Sequence, residues 1–408
     1  MTGEAAFKIN RYLPFVVLYF FFNSLFLPEG LLFTTLLTPL FFFQIVREQK
    51  VQQLIALLAV LCICFILHYL QGIHLQLYLK SLLLFITVGI FAIWTQSFFN
   101  KVNSLDYIFK CILILNGAML IVAVLALLTG VLKSQFWYLV PISPGLPEIP
   151  RLKMLTYEAS YYSLLLCPIA FYAIWNFMID KSRATFIYLL LALVPLLMSF
   201  SLGVLAGMIV TLICIVLIVF NWVKNNKRVR WMVIICSLLL LAVLIVLYQL
   251  YPDNPLVIRI KNIFTGKDTS ARGRTYEAFD IALMVAKTKS IWLGVGLGQV
   301  KEIGRTLIIH YYNYSNIPEV VRIPNAVAET LAIYGFVGVA IRFIIEFVLF
   351  FKTKVYQNYY RLTIFIFIFI YQFTGSFIFN IAEYVLWALA FSTAFSQFDR
   401  AVLNKQKS

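Results

Sequence analysis

Residues 184–222 read ATFIYLLLALVPLLMSFSLGVLAGMIVTLICIVLIVFNW, thirty-nine positions without one charged side chain. A helix needs about 20 residues to cross the hydrocarbon core of a bilayer, so this stretch holds two spans rather than one. Only the small and polar residues Ser199, Ser201 and Gly203 offer a place to turn between them. Comparable apolar runs recur at 12–27, 30–46, 53–70, 78–99, 107–129, 156–178, 231–250, 325–350, 362–379 and 381–397, which with the pair at 184–200 and 203–222 makes twelve. With 62% hydrophobic and 12% charged residues, the chain is outside the range of a soluble domain with one core. Strict alternation of apolar and polar residues is missing, which excludes an outer-membrane barrel. The expected fold is all-α, a polytopic membrane helix bundle forming one integral domain over residues 1–408.

Charge orients the bundle. Eighteen of the 33 basic residues fall at alternate connections, among them Arg47 and Lys50, Lys101 and Lys110, Lys224 to Arg230, and Lys352 to Arg361. Basic residues are retained on the cytoplasmic side, so both termini are expected there. The net charge of +16 is then mostly topological, and no nucleic-acid partner is implied. Two longer connections face outward, residues 130–155 and 251–324. The second is 74 residues long and carries ten Lys or Arg and six Asp or Glu. The six cysteines all lie in expected spans and show neither disulfide nor metal-ligand spacing. The first apolar run has no small-residue cleavage pattern and reads as a span, not a signal peptide.

The large outer loop contains an amphipathic stretch between Ile258 and Gln299, expected to lie along the interface with its apolar side toward lipid or bundle. Arg272 and Arg274 directly precede it. A guanidinium suits a two-point grip on phosphate oxygens, and a helix N-terminus adds partial positive charge; the plain alternative is a surface arginine snorkelling to water. Tyr311, Tyr312 and Tyr314 could stack on sugar faces or form an interfacial aromatic belt. Gly294, Gly296 and Gly298 invite a nucleotide-binding reading, but no strand of a βαβ unit precedes them, so a glycine turn is the better description. Glu158, Glu329 and Glu383 stand within about two turns of the outer span ends, where a carboxylate needs a partner or a task. Arg342 and Glu346, four apart and deeper, read as a local salt bridge. His310, in the large loop, is a candidate base or an ordinary surface imidazole.

Three segments together resemble the bacterial O-antigen polymerase and ligase superfamily: Leu155 to Ser163 (LTYEASYYS), Ser270 to Arg274 (SARGR) with the helix ending in Trp292 to Gln299 (WLGVGLGQ), and Pro324 to Glu329 (PNAVAE) leading to Tyr334 to Gly338 (YGFVG). The resemblance covers residues 150–340 and the overall hydropathy. It implies a membrane glycosyltransferase of the bacterial inner membrane, working on the periplasmic side without nucleotide or metal. Its donor would be an oligosaccharide on undecaprenyl pyrophosphate and its acceptor the terminal sugar of a second lipid-linked repeat unit, for O-antigen, capsule or common antigen. Membrane lipid, a chain-length regulator and a flippase are the further partners implied. Arg274 would hold the pyrophosphate. A second arginine usual in the family is replaced by Leu202, so Arg151, Arg272 or Arg322 would compensate. The histidine with which ligases activate the acceptor falls on Pro324, which argues for polymerase and leaves Glu329, Glu158 or His310 as base. Asn325, Tyr161, Tyr311 and Tyr312 would contact substrate. The alternatives are a ligase transferring glycan to lipid A core, a lipid-linked oligosaccharide transporter, and a non-catalytic assembly protein.

Overall fold

In a computed structural model, residues 12–28, 31–102, 105–141, 148–218, 249–250, 253–312 and 321–405 are described. The expected span at 231–250, apart from its last two residues, lies outside these, as do Tyr314 and Cys236. Long apolar runs fold as helices because a helix pairs every backbone group internally, the requirement that lipid imposes. Five helices are long and apolar enough to cross a membrane: α3 (Val51–Leu70), α4 (Leu75–Lys101), α5 (Leu105–Thr129), α6 (Ala159–Ile179) and α12 (Ala326–Lys352). Five more are apolar but shorter, α1 (Tyr12–Phe22), α7 (Arg183–Met198), α8 (Leu202–Ile218), α13 (Tyr359–Tyr371) and α14 (Ile381–Phe391). These ten overlap ten of the expected spans, with α13 and α14 ending at Tyr371 and Phe391 rather than at the expected 379 and 397, and the run at 30–46 folds as a single turn, Phe33–Leu36, followed by α2 (Thr38–Arg47). The large connection holds α9 (Pro255–Phe264), α10 (Tyr276–Lys287) and α11 (Val300–Tyr312). The protein is an all-α, multi-pass membrane protein.

The chain divides into two compact units, one of residues 1–112 and 273–408, the other of residues 113–272, so that the boundary falls inside α5. In the second unit α6 is the central element, with its residues from Tyr161 to Ala173 buried. α7 and α8 both pack on it. The turn between α7 and α8 is the one expected at Ser199 to Gly203, where the Ser163 hydroxyl on α6 meets the Ser199 hydroxyl at 2.7 Å. An antiparallel pair of two-residue strands, β1 (Trp137–Tyr138) against β2 (Arg151–Leu152), lies in the connection between α5 and α6.

In the first unit α4 packs against α2, α3 and α14, and α10 lies along α12. The amphipathic stretch therefore turns its apolar side to the bundle: Ala278, Ile281, Ala282, Val285 and Ala286 on α10 are buried against a core that includes Leu331 and Ala332 of α12. α12 is interrupted at Gly335, whose φ of 64° and ψ of −165° are not helical. The break frees backbone groups in the middle of an apolar helix, and the glycine turn takes them up. The amides of Val295 and Gly296 donate to the carbonyls of Ala332 and Ile333 at 3.0 and 2.9 Å, and those of Phe336 and Val337 donate to Ile291 and Trp292 at 3.1 Å each.

Each glycine of the turn faces a different neighbour. A Cβ on Gly294 would overlap the backbone of Ile333, one on Gly296 would press on His68 and Tyr78, and one on Gly298 would strike the Leu77 carbonyl. All three also have positive φ, a conformation that side chains disfavour. His68 secures the same turn from α3. Its Nε2 donates to the Leu293 carbonyl at 2.9 Å, which leaves Nδ1 to accept from the Tyr78 hydroxyl at 3.2 Å. Gln299 closes the far end, accepting from the His74 amide at 2.9 Å and donating back to its carbonyl at 3.1 Å.

Candidate active site

The sharpest concentration of polar chemistry in the first unit surrounds the beginning of α12. Asn325 is the N-cap of that helix, and its Oδ1 accepts from the Ala328 amide at 2.9 Å. This is the standard remedy for the unpaired amides of a helix start. Its Nδ2 donates twice, to the Arg274 carbonyl at 3.0 Å and to the Phe373 carbonyl. One fully buried amide side chain thereby ties together the helix start, the SARGR segment and the turn after α13. That turn supplies the remaining caps: the Gln372 carbonyl accepts from the Ala326 amide at 3.0 Å and the Val327 amide at 3.4 Å.

Glu329 stands in the first turn of α12 and is 8% exposed. Its Oε2 accepts from the Ile378 amide at 2.8 Å. The Ile378 carbonyl in turn accepts from the Tyr384 hydroxyl at 2.7 Å, so the residue presenting the amide is held from both sides. The charged groups acting on Glu329 are Arg322, Glu383 and Arg342. Arg322 is exposed and lays its guanidinium 5.6 Å from the centre of the Phe377 ring. Arg274 is half-buried, with its backbone fixed by Asn325. Arg274, Arg322, Asn325 and Glu329 therefore all belong to the connected structure at this helix start.

Deeper in the same unit, the expected pair of Arg342 and Glu346 forms at 3.1 Å. The pair has a third member that sequence spacing did not reveal, because Arg342 also binds Glu383, 41 residues away. Arg342 Nε further meets Gln372 Oε1 at 2.8 Å, and Gln372 donates to Glu346 at 3.1 Å. Glu383 accepts from the Ser376 hydroxyl and, at 3.3 Å, from the Trp387 indole. Arg342, Glu346 and Glu383 border a cavity of about 440 Å³ whose walls come from α3, α4, α12 and α14 and whose lining is mostly apolar, with Gln96, Thr330, Tyr334 and Tyr384 as its other polar residues. The single clue in the sequence to the break beside it is a glycine, Gly335, in the middle of a span.

The other expected residues have different surroundings. Tyr311 and Tyr312 on α11 bind carboxylates of α10, Tyr311 to Asp280 at 3.3 Å and Tyr312 to Glu277 at 3.0 Å. Desolvation and the neighbouring Asp280 hold the Tyr311 phenol above its ordinary pKa. His310 is exposed on α11. In the second unit, Arg151 sits on β2 with its guanidinium 5.6 Å from the centre of the Tyr138 ring and its Nε 3.3 Å from the Ser199 carbonyl. Arg151 thus reaches the same short turn that carries Leu202. Arg272 donates to the Gly266 carbonyl at 3.3 Å. Glu158 is half-buried at the N-cap of α6, and Tyr161 is buried one turn on, its ring 4.7 Å from that of Tyr157. Among the described residues, no group of three or more His, Cys, Asp or Glu is placed to hold a metal ion.

Residues 187–343 match the family model for O-antigen ligase. That match bears out the resemblance to the O-antigen polymerase and ligase superfamily. It spans α7 and α8, the SARGR segment, the glycine turn and α12 through its break to Arg342, so it includes Arg274, Asn325 and Glu329. No curated protein matches the chain. The superfamily is one of membrane enzymes that handle lipid-linked glycans, and the start of α12 and its break at Gly335 both lie inside the matched segment.

Proposed function

We propose that this member of the O-antigen ligase superfamily is a polysaccharide polymerase of the bacterial inner membrane, with its site on the periplasmic side. The acceptor is the terminal sugar of one lipid-linked repeat unit and the donor is a glycan on undecaprenyl pyrophosphate. The bond between the donor's reducing-end carbon and the pyrophosphate oxygen breaks, its electron pair leaves with undecaprenyl pyrophosphate, and the acceptor oxygen forms the new glycosidic bond. The acceptor proton passes to Glu329. Charge accumulates on the departing pyrophosphate, and arginine groups placed in advance lower the barrier by meeting it. Arg274 and Arg322 fill that role.

The observation that carries this reading is the Asn325 side chain, which donates to the Arg274 carbonyl and accepts from the Ala328 amide, and so joins the Arg274 backbone to the start of the helix that bears Glu329. An arginine and a shielded carboxylate on one rigid junction meet the two demands of the reaction, leaving-group stabilisation and removal of a hydroxyl proton. Pro324, where ligases of the superfamily have histidine, favours polymerase over ligase. Replacing Arg274 by Ala tests the reading. The protein should remain in the membrane while the ladder of surface polysaccharide collapses to single repeats; an unaltered ladder refutes the assignment. Deletion of the gene separates the alternatives: single-repeat lipopolysaccharide indicates a polymerase, accumulated lipid-linked polymer a ligase, and repeat units trapped in the inner leaflet a flippase.

A further inference from the structure

The reaction as proposed makes no use of Arg342, Glu346 and Glu383, yet the two carboxylates are buried and the arginine side chain is only 15% exposed, in an apolar bundle where charge is costly. A hydrophobic trio of similar volume would cost less, so what the charges hold in place deserves a physical account. Arg342 cannot serve as an anion site, since two carboxylates already occupy it. Its contacts lead instead to one segment, residues 372–378. Gln372, bound to Arg342 and Glu346 by its side chain, caps α12 with its carbonyl. Ser376, bound to Glu383 and approached by Asn380 at 3.3 Å, lies two residues before Ile378, whose amide donates to Glu329. The cluster and the carboxylate are therefore two ends of one hydrogen-bonded frame.

We propose that Arg342 and Glu383 are positioning residues for Glu329: they lock the 372–378 turn, and the locked turn keeps the Ile378 amide on the Glu329 carboxylate. The inference rests on the reading of Glu329 as the base. A fixed amide donor favours the ionised carboxylate, the form that accepts a proton, and orients its other oxygen. The remaining ionisable groups facing Glu329 are Arg322 before the helix, Tyr334 and Arg342 on α12, and Tyr384 and Glu383 on α14. All five residues are kept in Ser376→Ala, which withdraws only the hydroxyl's bonds with Glu383 and Asn380 and so loosens the turn.

The test is a pH profile of kcat and KM in proteoliposomes, using lipid-linked repeat units isolated from cells lacking this gene. Ser376→Ala should move the acid limb of kcat upward by about one pH unit, the usual size of a lost charge-favouring hydrogen bond, with KM within about twofold of wild type. Arg342→Lys keeps the charge but loses the planar fork and should produce the same displacement. If both variants lower kcat equally at every pH, or leave it unchanged, the cluster is merely structural and the proposal is overturned. Should one variant fail to reach the membrane folded, the other decides. Glu329→Gln separates the two ideas: a variant that retains the wild-type acid limb removes Glu329 as base, whereas an inactive one beside an unmoved Ser376→Ala limb overturns the positioning role alone.

Discussion

α12 departs from internal backbone pairing at two places, its start at Asn325 and its break at Gly335, and the two are solved by opposite means. At the break, four backbone hydrogen bonds with the glycine segment take up freed groups, and Val295 and Leu297 are buried in an apolar core beside it. At the start, the Asn325 side chain shares the capping with the Gln372 carbonyl, and arginine, asparagine and glutamate gather around it. Backbone pairing satisfies donors and acceptors completely and leaves nothing to react. Side-chain capping brings ionisable groups to a helix terminus, where partial positive charge and access to the membrane surface favour anion chemistry. The contrast supports the proposal that the helix start is the site and the glycine turn its scaffold, although both lie in the matched family segment.

The largest expected effect belongs to the scaffold. Gly294→Val forces a Cβ into the Ile333 backbone at a φ of 73°, and its cost should exceed about 3 kcal/mol. Size-exclusion of detergent-solubilised protein should then show little or no folded peak; a normal peak would break the distinction at its root. Next comes Glu329→Gln, which should lower turnover by about 10²-fold or more while the folded yield stays near wild type, as loss of a general base requires. Equal losses of yield and turnover would make the helix start scaffold too. Asn325→Ser sharpens the line between capping and tethering, because serine caps as well as asparagine but cannot donate to Arg274 and Phe373. Polymer formation in membranes should fall by about tenfold, in line with losing one or two hydrogen bonds of about 1 kcal/mol each. The smallest effect is expected for His68→Phe, which removes the bond to Leu293 at the break. Its thermal midpoint in detergent should drop by an amount equivalent to about 1–2 kcal/mol, with the pH dependence of activity unchanged.

Much of this molecule was legible in advance, though unevenly. Arg342 and Glu346 could be paired on paper because four residues make one helical turn, and the structure has that bond. Glu383 could be recognised as needing a partner, but its partner lies 41 residues away and spacing carries no information at that range. Gln372 and Ser376 were invisible as site components, since one polar residue in an apolar run looks like ordinary helix-end decoration. The tyrosines at 311 and 312 were read as sugar platforms or belt residues; their hydroxyls bind α10 carboxylates instead, contacts that depend on two helices folding back on each other. Asn325 and Glu329 stand out together in the sequence, yet nothing in the string PNAVAE shows that Asn325 reaches the Arg274 carbonyl.

Sequence by itself determined that this is an all-helical membrane protein, because hydropathy is a local sum and a bilayer admits few ways to bury a backbone. It also determined where glycine would be required, since a turn dense in glycine states its own conformational demand. Only the tertiary structure decided what those glycines touch, that α12 is broken where they dock, and that three charged residues from two helices share one buried cluster. Those facts depend on contacts between segments far apart in the chain, whose energies no local pattern records.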